Sequence, residues 1–132
     1  MKNLNVIFAS FLEAQGKRLK QRTYNDYEDV IELFKIYLNS YGYLDLDGKD
    51  LETWESHYEN DEESFTKLFG IDKIDFTIYN EFFEYFIIRK VDSGESYMKK
   101  AVRVMKKFTN WLKENDNIQD KQHEELLDYF IV

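Results

Sequence analysis

Residues 23–42 read TYNDYEDVIELFKIYLNSYG, and a single apolar stripe runs through them. Tyr27, Val30, Ile31, Phe34, Leu38 and Tyr41 recur at steps of three and four, the spacing of one helical face. A half-buried strand would alternate with period two instead. Thr23 with Asp26 three residues on resembles a capping box and predicts the helix start. Gly42 predicts its close.

The same period recurs outward from this helix. Leu4, Ile7, Phe8, Phe11 and Leu12 predict a helix over about 3–15, with Gly16 as the residue just past its end. A basic link, Lys17 to Arg22, joins the two helices. Residues 43–50 read as a turn around Asp47-Gly48. Leu51, Trp54 and Tyr58 fit one short helix, and Phe65, Leu68 and Phe69 another, with a solvated acidic run over 59–63 between them. A stronger helix is expected over 75–91, carrying Phe76, Tyr79, Phe83, Phe86 and Ile87 and broken by Asp92-Ser93-Gly94. Ser96 is expected to cap a helix over 96–114, and a last helix is expected over about 120–130. No segment sustains period-two alternation, so the fold is expected to be all-α. The chain should form a compact bundle of four main helices plus short ones, in one domain spanning 1–132 with an acidic insertion at about 45–70. Phe8, Phe34, Phe83, Phe108 and Leu112 are the expected core.

Composition agrees with long helices and a core built on rings. The 132 residues include 11 Phe and 10 Tyr but no Pro and no Cys. Without cysteine there is no disulfide, thiolate metal site or thiol nucleophile. Apolar runs such as Phe86-Ile87-Ile88 are only a few residues long, too short to span a bilayer. The N-terminus lacks the continuous apolar core of a signal peptide, and a cytoplasmic protein is the expectation.

The net charge of −8 conceals an uneven distribution. Residues 17–22 carry four basic residues and no acid, and 96–113 carry six and no acid. Acids concentrate in 45–63, nine against one lysine. On a helical wheel Ala101, Met105, Phe108 and Leu112 point one way, and Lys99, Arg103, Lys106 and Asn110 the other. A stripe of one sign opposite the core face suits a phosphate backbone. It equally suits a solvated face paired with acidic neighbours.

Two stretches resemble a known family. FLEAQGKRLKQRTYNDYEDVIELFKIYLNSYG (11–42) is similar to the opening of the core-binding, SAM-like N-terminal domain of tyrosine recombinases and phage integrases. Thr23, Tyr27 and Phe34 stand at that family's positions. IDKIDFTIYNEFFEYFIIRKVDSGESYMKKAVRVMKKFTNWLKENDNI (71–118) resembles its third and fourth helices, with Phe108, Trp111 and Leu112 carrying the ending. The resemblance implies a helical clamp on one side of a DNA duplex, its second and fourth helices facing the DNA. By position the implied contacts are Lys17, Arg18, Lys20 and Arg22, then Lys99, Lys100, Arg103, Lys106 and Lys107. Glu28, Asp29 and Glu32 depart from the family's basic second helix and would oppose phosphate.

No catalytic set is legible. Four arginines and no His-x-x-Arg pair give no cationic cradle for a tyrosine nucleophile. Asp45, Asp47 and Asp50 around Gly48 lack the spacing of a calcium loop. His57 and His123 lack ligand spacing and read as surface or interface residues. The chain is therefore expected to be non-enzymatic, without metal or cofactor. The leading expectation is a module binding duplex DNA weakly and with little sequence preference. The alternative is an acidic protein-interaction module that keeps the fold without DNA. The segment Leu126 to Val132 is too apolar for a free end. It should fold back on its own bundle, leaving a monomer, or else dock between chains.

Overall fold

The computed structural model describes residues 2–90 and 94–131, and every regular element among them is helical. Helix α1 spans Leu4–Gly16, and Asn3 caps it by accepting the Val6 N–H at 2.9 Å. Gly16 is the last helical residue rather than the one beyond it. The Arg18 and Leu19 N–H groups then both donate to the Gln15 carbonyl, turning the chain within four residues. Helix α2, Gln21–Tyr41, can therefore begin two residues before Thr23. Thr23 lies inside its first turn and caps nothing, and Arg22 is helical rather than part of the link.

The close of α2 also differs from expectation. Gly42 keeps right-handed dihedrals (φ −56°) and leads into a 3₁₀ turn, Gly42–Asp45. The need for glycine there is steric. A Cβ at Gly42 would lie 2.8 Å from the Phe65 ring, closer than packed atoms allow.

Phe65 belongs to the acidic insertion, which forms helices α3 (Gly48–Glu55) and α4 (Ser64–Leu68). The insertion is tied into the bundle. Trp54, Phe65 and Phe69 join the core, and the exposed acids at 59, 62 and 63 stay outside it. Asn39 on α2 accepts the Thr66 N–H at 3.0 Å, and the Leu4 N–H donates to the Phe69 carbonyl at 2.9 Å.

Helix α5 (Phe76–Glu81) is capped by Asp75, which accepts from the Ile78 N–H at 3.0 Å. It continues through a π-helical turn, Phe82–Phe86, into α6 (Ile87–Lys90). The wider i→i+5 turn slips the side-chain phase by one residue. Along this turn the adjacent pairs Phe82-Phe83 and Phe86-Ile87 are all buried. Of the expected break, Asp92 and Ser93 lie outside the described residues. Gly94 has φ +64°, a conformation that favours glycine, and stands before α7 (Glu95–Glu114). Ser96 is consequently inside α7 and is not its cap.

Helix α7 ends in a Schellman turn. The Asn117 N–H reaches the Leu112 carbonyl at 2.8 Å and the Asp116 N–H the Lys113 carbonyl at 3.2 Å, with Asp116 at φ 58°. Helix α8, Asp120–Asp128, returns over α5 and α7.

The core is a lattice of rings. Phe34 meets Phe8, Tyr79 and Phe82 with centroids 5.8, 6.0 and 4.9 Å away. Phe108 meets Phe8 and Phe11 at 5.5 and 5.1 Å. All five expected core residues are buried. The C-terminal segment folds back on its own bundle. Tyr129 stacks on Phe83 at 5.1 Å, and Phe130 sets an edge against Tyr79 at 5.8 Å. Among the described residues, no helix is long and apolar enough to cross a membrane.

Candidate functional site

The apolar stripe of α7 packs inward, and on its exposed side Lys100 and Arg103 meet acids of α2. Lys100 Nζ lies 3.0 Å from Asp29 and 3.9 Å from Asp26, and Arg103 lies 3.2 Å from Asp26. Lys100 also sits over the Tyr97 ring, 4.5 Å from its centroid. Burial, then the neighbouring Asp29, push the Tyr97 phenol well above its ordinary pKa. Both cations are thus engaged by acids of α2, and one of these, Asp29, departs from the recombinase pattern.

Of the other expected contact residues, Lys17, Arg18 and Lys106 each have a different partner. Lys17 pairs with Glu13 at 3.5 Å, and Arg18 donates through Nε and an Nη to the buried Gln15 side chain. Lys106 Nζ lies 5.8 Å from the Phe130 centroid. Lys20, Arg22, Lys99 and Lys107 make no ion pair among the described residues. The Asp26–Arg103 and Asp29–Lys100 pairs fix an antiparallel register, and one turn further on this brings Arg22 level with Lys107.

The weaker sequence signals have local explanations. Asp47 precedes α3 as its N-cap position, and Asp50 is held by Lys73. His57 Nδ1–H donates to the Thr53 carbonyl at 2.8 Å, and His123 Nε2 bonds Asn110 at 2.8 Å. Among the described residues, no three His, Cys, Asp or Glu side chains converge as a metal site.

A large concave feature lies on the opposite half of α2, where sequence reasoning placed no site. It is a groove of about 810 Å³. One wall is the α2 face of Glu32, Lys35, Ile36, Asn39 and Ser40, at helical spacing. The other is formed by Tyr43, Trp54 and Tyr58 with the turn that follows them. These three rings form a parallel stack. Tyr43 and Trp54 are 4.4 Å apart at 7°, and Trp54 and Tyr58 are 4.5 Å apart at 8°. Trp54, in the middle, is buried, whereas Tyr58 is 44% exposed and no further ring stacks on it among the described residues. Trp54 and Tyr58 four residues apart on one helical face were a signal of this stack. Tyr43 joins it only through the 3₁₀ turn after α2.

Five carboxylates, Glu32, Glu55, Asp61, Glu62 and Glu63, line the groove against one lysine, Lys35. Lys35 pairs with Glu63 at 3.5 Å. Lys67 holds Asp61 at 2.7 Å and keeps its carboxyl below the ordinary range. Glu32, Glu55 and Glu62 have no ion-pair partner among the described residues. A smaller cavity of about 300 Å³ opens beside the π-helical turn between Tyr37, Tyr41, Leu44 and Tyr85. Asp45 at its rim is shifted up by desolvation and by the charges of Asp75 and Glu81.

No protein-family model, no curated protein and no solved structure matches the chain. The resemblance to recombinase core-binding domains rests on its residue pattern alone.

Proposed function

We propose that the chain is a non-catalytic helical interaction module whose partner is a protein, bound at the groove between α2 and the Tyr43–Trp54–Tyr58 stack. The observation that carries this reading is the pairing of Lys100 and Arg103 with Asp29 and Asp26. Those cations are the centre of the face a recombinase-like module would turn to DNA, and their charge is already met within the chain. A phosphate backbone would have to displace two carboxylates and would then face Glu28 and Glu32 on the same helix.

A second reading, weak duplex binding, is favoured by Lys20, Arg22, Lys99 and Lys107, which make no ion pair among the described residues. It draws on the recombinase resemblance and on the same nine basic residues. A salt-dependent titration with a duplex of about 20 base pairs separates the two. The interaction reading predicts no saturable binding at 0.15 M salt. Saturable binding with a salt slope of about three to six phosphates, lost in the K99E/R103E/K106E triple variant, would replace it with the DNA reading.

A further inference from the structure

An exposed aromatic ring and carboxylates without ion-pair partners among the described residues, in one groove, together select a particular kind of ligand. The Tyr58 ring stacks on Trp54 at 4.5 Å, the residue remains 44% exposed, and no further ring stacks on it among the described residues. It therefore ends the stack with a π-face available to a further planar group. The face of such a ring is electron-rich and attracts cations, guanidinium most of all because it stacks flat. Glu32, Glu55 and Glu62 supply uncompensated negative charge in the same groove, so an anionic ligand is repelled and an uncharged apolar one leaves carboxylates facing it. The exposed Ile36 provides apolar surface for the stem of a long side chain. The α2 wall runs from Glu32 to Ser40, about 12 Å of helix. That length accommodates about three or four residues of extended peptide.

We propose that the groove receives an arginine-bearing peptide segment of the partner protein, with one guanidinium stacked on the outer face of Tyr58 and the peptide's charge met by Glu32, Glu55 and Glu62. This rests on the interaction reading above and adds the chemistry of the partner. Arginine is preferred over lysine because guanidinium combines flat stacking with paired N–H donors for a carboxylate, whereas ammonium is a compact, strongly hydrated charge.

The test uses the full chain carrying Trp111→Phe, so that Trp54 is the one tryptophan and reports on the stack. Blocked tetra-arginine, tetra-lysine and tetra-glutamate peptides are titrated at 0.15 M salt while Trp54 emission is followed. Tetra-arginine is expected to quench Trp54 saturably and to bind about three-fold tighter than tetra-lysine, with no response to tetra-glutamate. Tyr58→Ala should abolish the arginine preference, and Tyr58→Phe should keep it. Glu55→Gln with Glu62→Gln should weaken both cationic peptides about five-fold. The same change at Glu124 and Glu125, exposed on α8, should leave them unaltered. Equal binding of the two cationic peptides, an arginine preference that survives Tyr58→Ala, or an equal response to the α8 changes would overturn the proposal. A flat response to tetra-arginine would also overturn it, yet leave the interaction reading in place if the duplex does not bind. Saturable duplex binding would remove that reading itself.

Discussion

Arg103 and Asp26 meet at 3.2 Å across the seam between α7 and α2. Both side chains are part exposed, so the pair contributes at most about 1 kcal/mol to stability. Its larger effect is on surface charge. Asp26→Asn with Asp29→Asn leaves Lys100 and Arg103 without partners and removes two negative charges from the same face. Urea unfolding should show a loss under about 1 kcal/mol for each pair. Duplex DNA affinity at low salt should rise about ten-fold over the parent chain. An unchanged affinity would mean that these aspartates do not set the surface's behaviour toward phosphate.

Tyr79 and Thr109 form a buried relay with a fixed direction. The Thr109 hydroxyl donates to the Met105 carbonyl at 2.7 Å, so its oxygen accepts from the Tyr79 hydroxyl, also at 2.7 Å. Burial pushes the Tyr79 phenol well above its ordinary pKa and holds it neutral. Thr109→Val strands the phenol and should cost about 1–3 kcal/mol. Tyr79→Phe in that background should recover part of the loss. A double-mutant cycle by urea unfolding measures the coupling, and additive losses would contradict the relay.

Asp116 occupies the left-handed position of the turn after α7, with φ 58°. The hydrogen bonds of that turn come from the backbone, so its side chain is not needed for them. Asp116→Gly relieves the conformational penalty and should stabilise the chain by about 0.5–1 kcal/mol. Thermal unfolding at neutral pH checks this, and a lower midpoint would contradict it.

The Asp45 carboxyl is shifted up, first by desolvation and then by Asp75 and Glu81. Its pKa in the folded state therefore lies above that in the unfolded state. The stability linked to its proton is fully present below the unfolded value and is lost as pH rises through the folded one. Asp45→Asn should thus unfold later than the parent near pH 7, with the gap closing toward about pH 3. A gap that widens at acid pH would show the opposite shift.

The helices were legible because their cores are periodic, but their ends followed contacts remote in sequence. The stripe of Tyr27, Val30, Ile31, Phe34 and Leu38 placed α2 and its buried face. Its start was misjudged because a four-residue turn anchored on the Gln15 carbonyl competes with the capping preference of Thr23. Gly42 was read as a helix terminator, whereas its smallness serves Phe65, 23 residues away. The π-helical turn left only the run of phenylalanines as a trace, since period analysis assumes a constant pitch.

The basic stripe of α7 was located on the correct side of its helix, opposite Ala101, Met105, Phe108 and Leu112. Its meaning depended on what stood across from it. Glu28, Asp29 and Glu32 were recognised as a departure from the recombinase pattern. That Asp26 and Asp29 would reach Lys100 and Arg103 requires the antiparallel register of two helices more than 70 residues apart. The groove was hidden for the same reason, because Tyr43 and Trp54 come together only once the acidic insertion folds onto α2.

The most direct test of a protein-binding groove in place of a DNA-binding face is an amide NMR map of the full chain, titrated separately with blocked tetra-arginine and with a duplex of about 20 base pairs at 0.15 M salt. The account predicts that the peptide moves signals of Glu32 to Ser40, Tyr43 and Trp54 to Ser64 and leaves Lys99 to Lys107 unmoved, while the duplex moves nothing saturably. Saturable shifts of Arg22 and of Lys99 to Lys107 with the duplex, and none in the groove with the peptide, would contradict it.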